Sequence, residues 1–331
     1  MQHDELIGQS NALLSVLEHT SLLAPLHKPV LVVGERGTGK ELIAHRLHYL
    51  SPRWQQPFIS LNCATLAETL LETELFGHEV GAFTGAQKRH LGRFERANGG
   101  TLFLDELAST SPRVQEKLLR VIEYGEFERV GGSEAVRIDV RLVCATNQDL
   151  PSLAQKGDFR ADLLDRLAFD VITLPPLRAR EDDIIRLAAH FAVNLCVELG
   201  WPLFAGFSNA VQQQLLAHSW PGNVRELKNV IERSLYRHGQ PEVTLKALYL
   251  DPFASPWRPD TNSRIKADES VVLPTDLKTH LAQQEVRLLK AALVHTHYHQ
   301  RQAAEQLGLS YHQLRGLLRK HAAQLPLGGQ E

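Results

Sequence analysis

The chain has 331 residues, 43% of them hydrophobic, enough for two or three packed domains. A formal net charge of −2 excludes whole-chain attraction to nucleic acid or to an anionic membrane, so any such binding has to come from a local patch. Three scattered cysteines, sixteen histidines without a zinc-type spacing, and no apolar run near the ~20 residues of a membrane helix exclude a disulfide scaffold, those zinc motifs and a transmembrane span.

Met1 to Gly8 lacks the basic and apolar regions of an export signal. The expectation is a cytoplasmic protein whose Cys63, Cys144 and Cys196 are reduced and buried. Apolar residues at helical spacing predict a helix over Asn11–Leu23. Pro29 to Val33 is a β-branched run that stops at Gly34, and Lys40 to Leu50 reads as a helix. Between them Gly34-Glu35-Arg36-Gly37-Thr38-Gly39-Lys40 matches the phosphate loop G-x-x-x-x-G-K. Its glycines let backbone N–H groups face inward around phosphate oxygens, the helix N-terminus adds its dipole, and Lys40 reaches the β- and γ-phosphates. Position 41 is Glu where the general motif has a hydroxyl for Mg²⁺, so the ion must rely on phosphate oxygens, water and a carboxylate elsewhere.

Trp54 follows in a polar loop, either as a docking aromatic or as a cap on the edge of the core. Phe58 to Leu61 is a second strand ending at Asn62. Gly81-Ala82-Phe83-Thr84-Gly85-Ala86 predicts a tight loop with an aromatic at its tip. Burying a Phe is worth roughly 1.5–3 kcal/mol. Such a loop either has a partner for Phe83 or folds it back onto the core.

Ala97-Asn98-Gly99-Gly100 leads into an apolar strand, Thr101-Leu102-Phe103-Leu104, that ends in Asp105-Glu106, the Walker B pattern. Asp105 is expected to hold Mg²⁺, directly or through water, and Glu106 to polarise the attacking water. Asn62 could hydrogen-bond Glu106, and Thr146-Asn147, at the end of the Val140–Ala145 strand, could sit beside the γ-phosphate; both could equally be strand-end caps. A helix is predicted over Val114–Tyr124. Strands alternating with helices imply an α/β domain with a mostly parallel sheet covered on both faces.

After Pro175-Pro176 the signals are helical from Glu181 to about Tyr249, broken at Gly200–Gly206 and Pro221-Gly222, which predicts an all-α subdomain. Residues 251–275, rich in Pro, Ser, Asp and Asn, read as a linker. The helical period then returns with excess Lys and Arg. Leu281–Val294 suits a packing helix; Arg301 to Gln306, a turn at Gly308, an N-cap at Ser310 and a helix over Tyr311–His321 have helix-turn-helix spacing. Gln302, Ala303, Ser310, Tyr311, His312, Arg315, Arg319 and Lys320 are the expected DNA contacts, with Tyr311, His312 and Arg315 as base readers. A helical hairpin for dimerisation is the alternative, and both can hold. His295, His297 and His299 read as a solvated loop. The expected boundaries are 1–172, 173–250, 251–275 and 276–325.

Together these motifs resemble the AAA+ activators of σ54-dependent transcription, the bacterial enhancer-binding proteins. The resemblance spans nearly the whole chain through Gly34–Glu41, Glu74-Leu75-Phe76-Gly77-His78-Glu79, Gly81–Ala86, Gly99–Glu106, Phe159–Leu167 and Trp220–Leu227. Glu41 is usual in that family. The resemblance implies a P-loop ATPase domain with an all-α lid and a Fis-type helix-turn-helix domain, a ring oligomer, commonly a hexamer, and ATP hydrolysis with Mg²⁺ at subunit interfaces. It implies nucleotide contacts by Ile7, Gly8, Val224 and Arg225, by Gly34 to Glu41 and by Ala97 to Glu106, with Arg225 as the sensor in the lid. Arg160 and Arg166 become arginine fingers for a neighbour's γ-phosphate, although the residues alone favour a salt-bridged helix face with Asp162 and Asp165. Asn62 becomes a switch that restrains Glu106. Phe83 and Thr84 become contacts to σ54-RNA polymerase, supported by a second loop around Glu128–Gly132. Enhancer DNA is the implied target of the C-terminal helices.

Within the family, His27–Val30, Leu47–Ser51 and Phe58–Cys63 resemble the activators of the phage shock operon, which implies a repressor, PspA; no receiver or ligand-sensing domain fits ahead of the ATPase module, so control is expected in trans, with Trp54 either a docking aromatic for that repressor or a cap on the edge of the core. A nucleotide-sensing repressor lacks a use for the Phe83-Thr84 loop, and a replication initiator or other remodelling ATPase has no reason to carry it.

Overall fold

In the computed structural model of the protein, residues 6–240, 242–255, 257–258, 276–296 and 298–321 are described. Most of the expected linker, His297 and residues 322–325 lie outside them. The chain divides into two units, the first ending at Pro252 and the second starting at Phe253.

In the first unit, α1 (Asn11–Leu23) precedes β1 (Val30–Val33), α2 (Lys40–Tyr49) and β2 (Phe58–Asn62). Then come α3 (Glu68–Phe76), α4 (Arg93–Arg96), β3 (Thr101–Asp105), α5 (Pro112–Tyr124), β4 (Glu126–Glu128) and β5 (Ala135–Arg137). β6 (Arg141–Thr146), α6 (Leu150–Lys156), α7 (Ala161–Leu167) and β7 (Val171–Thr173) complete the α/β part. Five strands pair in the order β2-β3-β6-β1-β7, every pairing parallel.

The continuous apolar strand runs are explained by burial on both faces. Leu31, Leu102, Leu104, Leu142 and Cys144 pack with Leu71, Leu75, Val114, Leu118 and Leu163 from the helices of one face. The alternate residues Val30, Val32, Phe103, Val143 and Ala145 pack with Leu23, Ile43 and Leu47 of α1 and α2 on the other. All three cysteines are free and buried.

Local signals fix the helix ends. Ser111 caps α5 by accepting from the Val114 N–H, Pro112 opens the helix, and Gly125 ends it in the left-handed conformation. One buried cation ties two other ends together. Arg141 of β6 donates from Nη1 to the Ala24 and Leu47 carbonyls at 2.6 and 3.3 Å, and from Nη2 to the Leu23 carbonyl at 2.9 Å. It thereby satisfies orphan carbonyls at the C-termini of α1 and α2. Burial pulls its pKa down to about 10, which leaves it charged at neutral pH.

The lid consists of α8 (Glu181–Glu198), α9 (Asn209–Ala217) and α10 (Asn223–His238), which close around Trp220, Leu187, Val211, Leu227 and Ile231. The helical signal expected to run to Tyr249 stops earlier. Gly239, at φ 66°, ends α10, and the chain beyond is irregular, with Leu245 bridging to Phe207. The antiparallel β4–β5 pair was not expected from the sequence; it frames the second loop.

The second unit contains α11 (Leu277–His295), α12 (Gln300–Gln306) and α13 (Tyr311–Lys320) around Val286, Leu289, Leu293, Ala303, Ala304 and Leu314. Gly308, at φ 64°, makes the turn, and Ser310 with Gln313 forms a reciprocal capping box at the start of α13. No helix among the described residues is long and apolar enough to cross a membrane.

Candidate functional site

Four strand ends meet at the carboxyl edge of the parallel sheet, where open α/β sheets bind ligands. β1 runs into the Gly34–Lys40 loop, β3 ends at Asp105, β6 ends at Thr146, and β2 ends at Asn62. Val33 and Thr146 are register partners, and the Gly34 N–H donates to the Thr146 carbonyl at 3.2 Å. Lys40 curls back so that Nζ donates to the carbonyls of Gly34 at 2.9 Å and Glu35 at 3.2 Å. Burial lowers its pKa, while the charges of Asp105 and Glu106 act in the opposite direction, which puts both carboxylates near its ammonium. Glu41 is exposed, and its Oε1 lies 4.0 Å from His45 Nε2, one turn on along α2.

Asn62 and Asp105 are also register partners, and this decides a hydrogen bond. Asn62 Nδ2 donates to Asp105 Oδ2 at 3.2 Å, not to Glu106, because adjacent parallel strands put the Asp opposite it. Its Oδ1 accepts from the Ala64 N–H, which starts the segment leading into α3. Glu106 has φ 53°, a left-handed backbone rare for a non-glycine residue, and its Oε1 lies 3.9 Å from Arg36 Nε. Asn147 Oδ1 is buried with no hydrogen-bond partner.

The earlier part of the Walker B stretch does not reach this edge. Ala97, Asn98, Gly99 and Gly100 lie at the opposite end of β3, about 13 Å of strand away from Asp105. There Asn98 accepts from the Asp139 N–H and Gly99 donates to the Asp139 carbonyl. Thr101, Leu102, Phe103 and Leu104 are core residues. Of the expected Ala97–Glu106 contacts, Asp105 and Glu106 alone are brought to the phosphate loop; the apolar run before them is there to fill the sheet.

The lid closes over the loop. The Val224 N–H donates to the Gly37 carbonyl at 3.0 Å, and a Cβ at Gly37 would stand 2.3 Å from the Gly222 carbonyl oxygen, so only glycine fits (φ +77°). Arg225 approaches the same glycine and adds positive charge near Lys40. Ile7 and Val224 both pack on the lid cluster, which brings together two segments 217 residues apart in sequence by their numbering. Asp183, fully buried, anchors the Ile7–Gly8 strap: it accepts from the N–H groups of Gln9 and Ser10, from Ser10 Oγ and from Arg180, which also donates to the Ile7 carbonyl.

Arg160, at the N-cap of α7, is partly exposed, and Arg166, in its last turn, is exposed. Arg160 pairs with Asp162 at 2.7 Å and Arg166 with Glu123 at 3.0 Å, so Asp165, the other partner weighed for them, is not used.

The Gly81–Ala86 loop stands on the far end of α3. The Gly81 N–H donates to the Ala86 carbonyl at 2.9 Å, which closes the loop and leaves Thr84 exposed and Phe83 at 47% exposure. Phe83 meets the His78 ring edge-on at 4.9 Å between centroids, so the tip is partly seated but not buried. The second loop does brace it. The Glu79 N–H donates to the Val130 carbonyl, Arg129 holds Glu79 at 2.9 Å and Glu95 at 2.6 Å, and Gly131 packs so closely on Ala82 that a Cβ there would lie 2.6 Å from its Cβ.

Trp54 is 55% exposed, which argues against a cap on the core. Its neighbour Arg53 fixes the loop through a two-pronged pair with Asp139 at 2.7 and 2.8 Å.

In the second unit, Tyr311 is flanked by the guanidinium groups of Arg301 and Arg315 at 5.9 and 6.0 Å from its ring. Gln302, Ser310, His312, Arg315 and Arg319 are exposed. Two expectations change. Ala303 is fully buried in the core and cannot contact DNA, and Lys320 is held by Glu285 at 2.9 Å.

The contacts made by Glu35, Arg178 and Asn223, and the Asp183 anchor, were missed in reading the sequence. The one available signal was the charged run Arg178–Asp183 directly after the break at Pro175-Pro176, together with an Asn beside Gly222, a residue type that tolerates positive φ.

Three family models match in tandem: "Sigma-54 interaction domain" over residues 6–173, "AAA+ ATPase lid domain" over 178–259, and "Bacterial regulatory protein, Fis family" over 280–321. The chain is 62% identical over 321 residues to the Psp operon transcriptional activator of Escherichia coli (strain K12), covering 96% of this chain and 98% of that protein. It is 53% identical over 228 residues to the Nif-specific regulatory protein of Azotobacter vinelandii, of which it covers 43%. Among solved structures, NtrX from Brucella abortus in complex with ADP superimposes with a TM-score of 0.69 at 30% identity, covering 96% of this chain and 70% of that one. The ATP complex of the same protein gives 0.67 at 31%, covering 96% and 69%.

Proposed function

As this chain belongs to the σ54-dependent AAA+ activators of transcription, we propose that it is the ATP-driven activator of a phage shock operon. It is an ATPase with a σ54-interaction domain, a lid and a Fis-type DNA-binding domain. The proposal assigns the parts. Lys40 and the Gly34–Gly39 amides hold the phosphates. Asp105 holds Mg²⁺ brought in with the triphosphate. Mg²⁺ there would offset phosphate charge. Glu106 is the general base for water, and the buried, unpartnered Asn147 Oδ1 just past the end of β6 is an open acceptor that a water can fill. Thr146 supports Asn147 as its strand neighbour. Ile7, Gly8 and Val224 flank the base, and Arg225 senses the phosphates from the lid.

The observation that carries the reading is one short run of chain. Asn62 is hydrogen-bonded to Asp105 at its start, and α3 leads from there to the loop bearing Phe83 and Thr84. A change at the γ-phosphate therefore has a direct covalent route to the loop. Arg160 and Arg166, paired with Asp162 of α7 and Glu123 of α5, are the proposed fingers for a neighbouring subunit in a ring, most simply a hexamer. Trp54 is proposed as the dock for a repressor in trans, PspA, and the cytoplasm as the site of action. Enhancer DNA is read by α13. The test is ATP hydrolysis and open-complex formation at a σ54 promoter by the purified chain: both are expected, and hydrolysis without open complexes would reject the remodelling role.

A further inference from the structure

Glu35 is a carboxylate on the phosphate loop itself, three residues before Thr38 and next to where a triphosphate's charge must sit. Left free there, it would repel the ligand. It is not free. Arg178 grips both of its oxygens, from Nη1 at 2.9 Å and Nη2 at 2.6 Å, and Asn223 Nδ2 donates to Oε2 at 3.0 Å. These hydrogen bonds, the Arg178 one foremost, hold its carboxyl down at about 2. Asn223 does more than this. It is fully buried at φ 52°, its Nδ2 also donates to the Arg36 carbonyl at 3.0 Å, and its Oδ1 accepts from the Leu177 N–H at 2.8 Å. Every partner is either on the phosphate loop or at the base of the lid. Asparagine tolerates this left-handed backbone, and here its side-chain hydrogen bonds fix it at the joint.

We infer that Arg178 and Asn223 are positioning residues for ATP binding: they clasp the Glu35 carboxylate away from the phosphates and tie the tip of the phosphate loop to the lid. The clasp deepens the nucleotide-site reading and rests on it. It joins three pieces of chain, 34–37, 177–178 and 222–224, so lid position and loop shape change together. It also gives the two lid residues a role distinct from direct phosphate contact, because neither needs to touch the ligand.

The sign follows from the carboxylate. Without Arg178, Glu35 regains its freedom and its charge opposes the triphosphate. The test measures binding of a fluorescent ATP analogue and steady-state ATP hydrolysis by the full chain carrying Arg178→Ala, Glu35→Gln, or both. Arg178 is half exposed, so its removal spares the core, and a thermal melt checks this. Arg178→Ala is expected to weaken nucleotide binding and raise KM about five- to twenty-fold, with kcat at saturation within about two-fold. Adding Glu35→Gln is expected to remove most of that loss, since the repelling charge is gone. Unchanged binding in Arg178→Ala overturns the clasp, and so does a loss that persists in full when Glu35 is neutral. Failure of the unsubstituted chain to bind the analogue would instead overturn the nucleotide-site reading.

Discussion

Glu106, as the proposed general base, concentrates the proposed chemistry at a single side chain. Its backbone is left-handed, its carboxylate lies 3.9 Å from Arg36 Nε, and its charge acts on Lys40. Glu106→Gln keeps the shape and removes the base, so hydrolysis should fall about 10²- to 10⁴-fold while ATP binding persists. Parallel binding and phosphate-release assays check this. Glu35 gives a pH signature of its own. Its carboxyl is pulled from 4.5 to about 2 in the folded chain, chiefly by Arg178. A depressed acid stabilises the fold fully above its unfolded value and loses that contribution as pH falls from 4.5 toward 2. Acid unfolding of Glu35→Gln should therefore be less steep than that of the unsubstituted chain in this window. Lys40, Asp105 and Glu106 were legible in the sequence because loop and strand-end chemistry fix their spacing. The Glu35 partners were not, since they lie 143 and 188 residues away. Asn62 was legible as a strand end, but its choice of Asp105 over Glu106 depends on strand register, which no local pattern carries.

The elements depend on a few buried polar joints. Arg141 holds the C-termini of α1 and α2 against β6. Arg141→Ala would leave three carbonyls without their donor and open a cavity, a loss of about 2–4 kcal/mol by those two effects. Chemical denaturation should show the midpoint falling with the slope unchanged. On α13, Arg315 stands beside Tyr311, and Arg319 lies one turn further on. Arg319→Ala should weaken binding across sequences and reduce the salt slope by about one, whereas Arg315→Ala should relax base preference. Competition binding at several salt concentrations separates the two. Strongly patterned elements were legible: α1, with Asn11–Leu23 as expected, and the apolar cores of β1, β3 and β6. The three-residue strands β4, β5 and β7 were not, because such short segments owe their pairing to the neighbours they meet. Ala303 looked like a contact by its place in the helix-turn-helix, but it faces inward against Leu314 and Leu293.

At the scale of the molecule, the proposed nucleotide site ahead of α3 is joined through that helix to an exposed aromatic loop beyond it. The same unit carries Trp54 on a loop pinned by Arg53. If Trp54 is the repressor's dock, Trp54→Ala should leave ATP hydrolysis intact and abolish repression in a reconstituted assay with the repressor added. The central claim is that hydrolysis is spent through Phe83 and Thr84 on σ54-RNA polymerase. Its most direct test is open-complex formation at a σ54 promoter by Thr84→Ala, measured alongside ATP turnover. Near-normal turnover with open complexes lost is the result expected; open complexes at the unsubstituted level would contradict it.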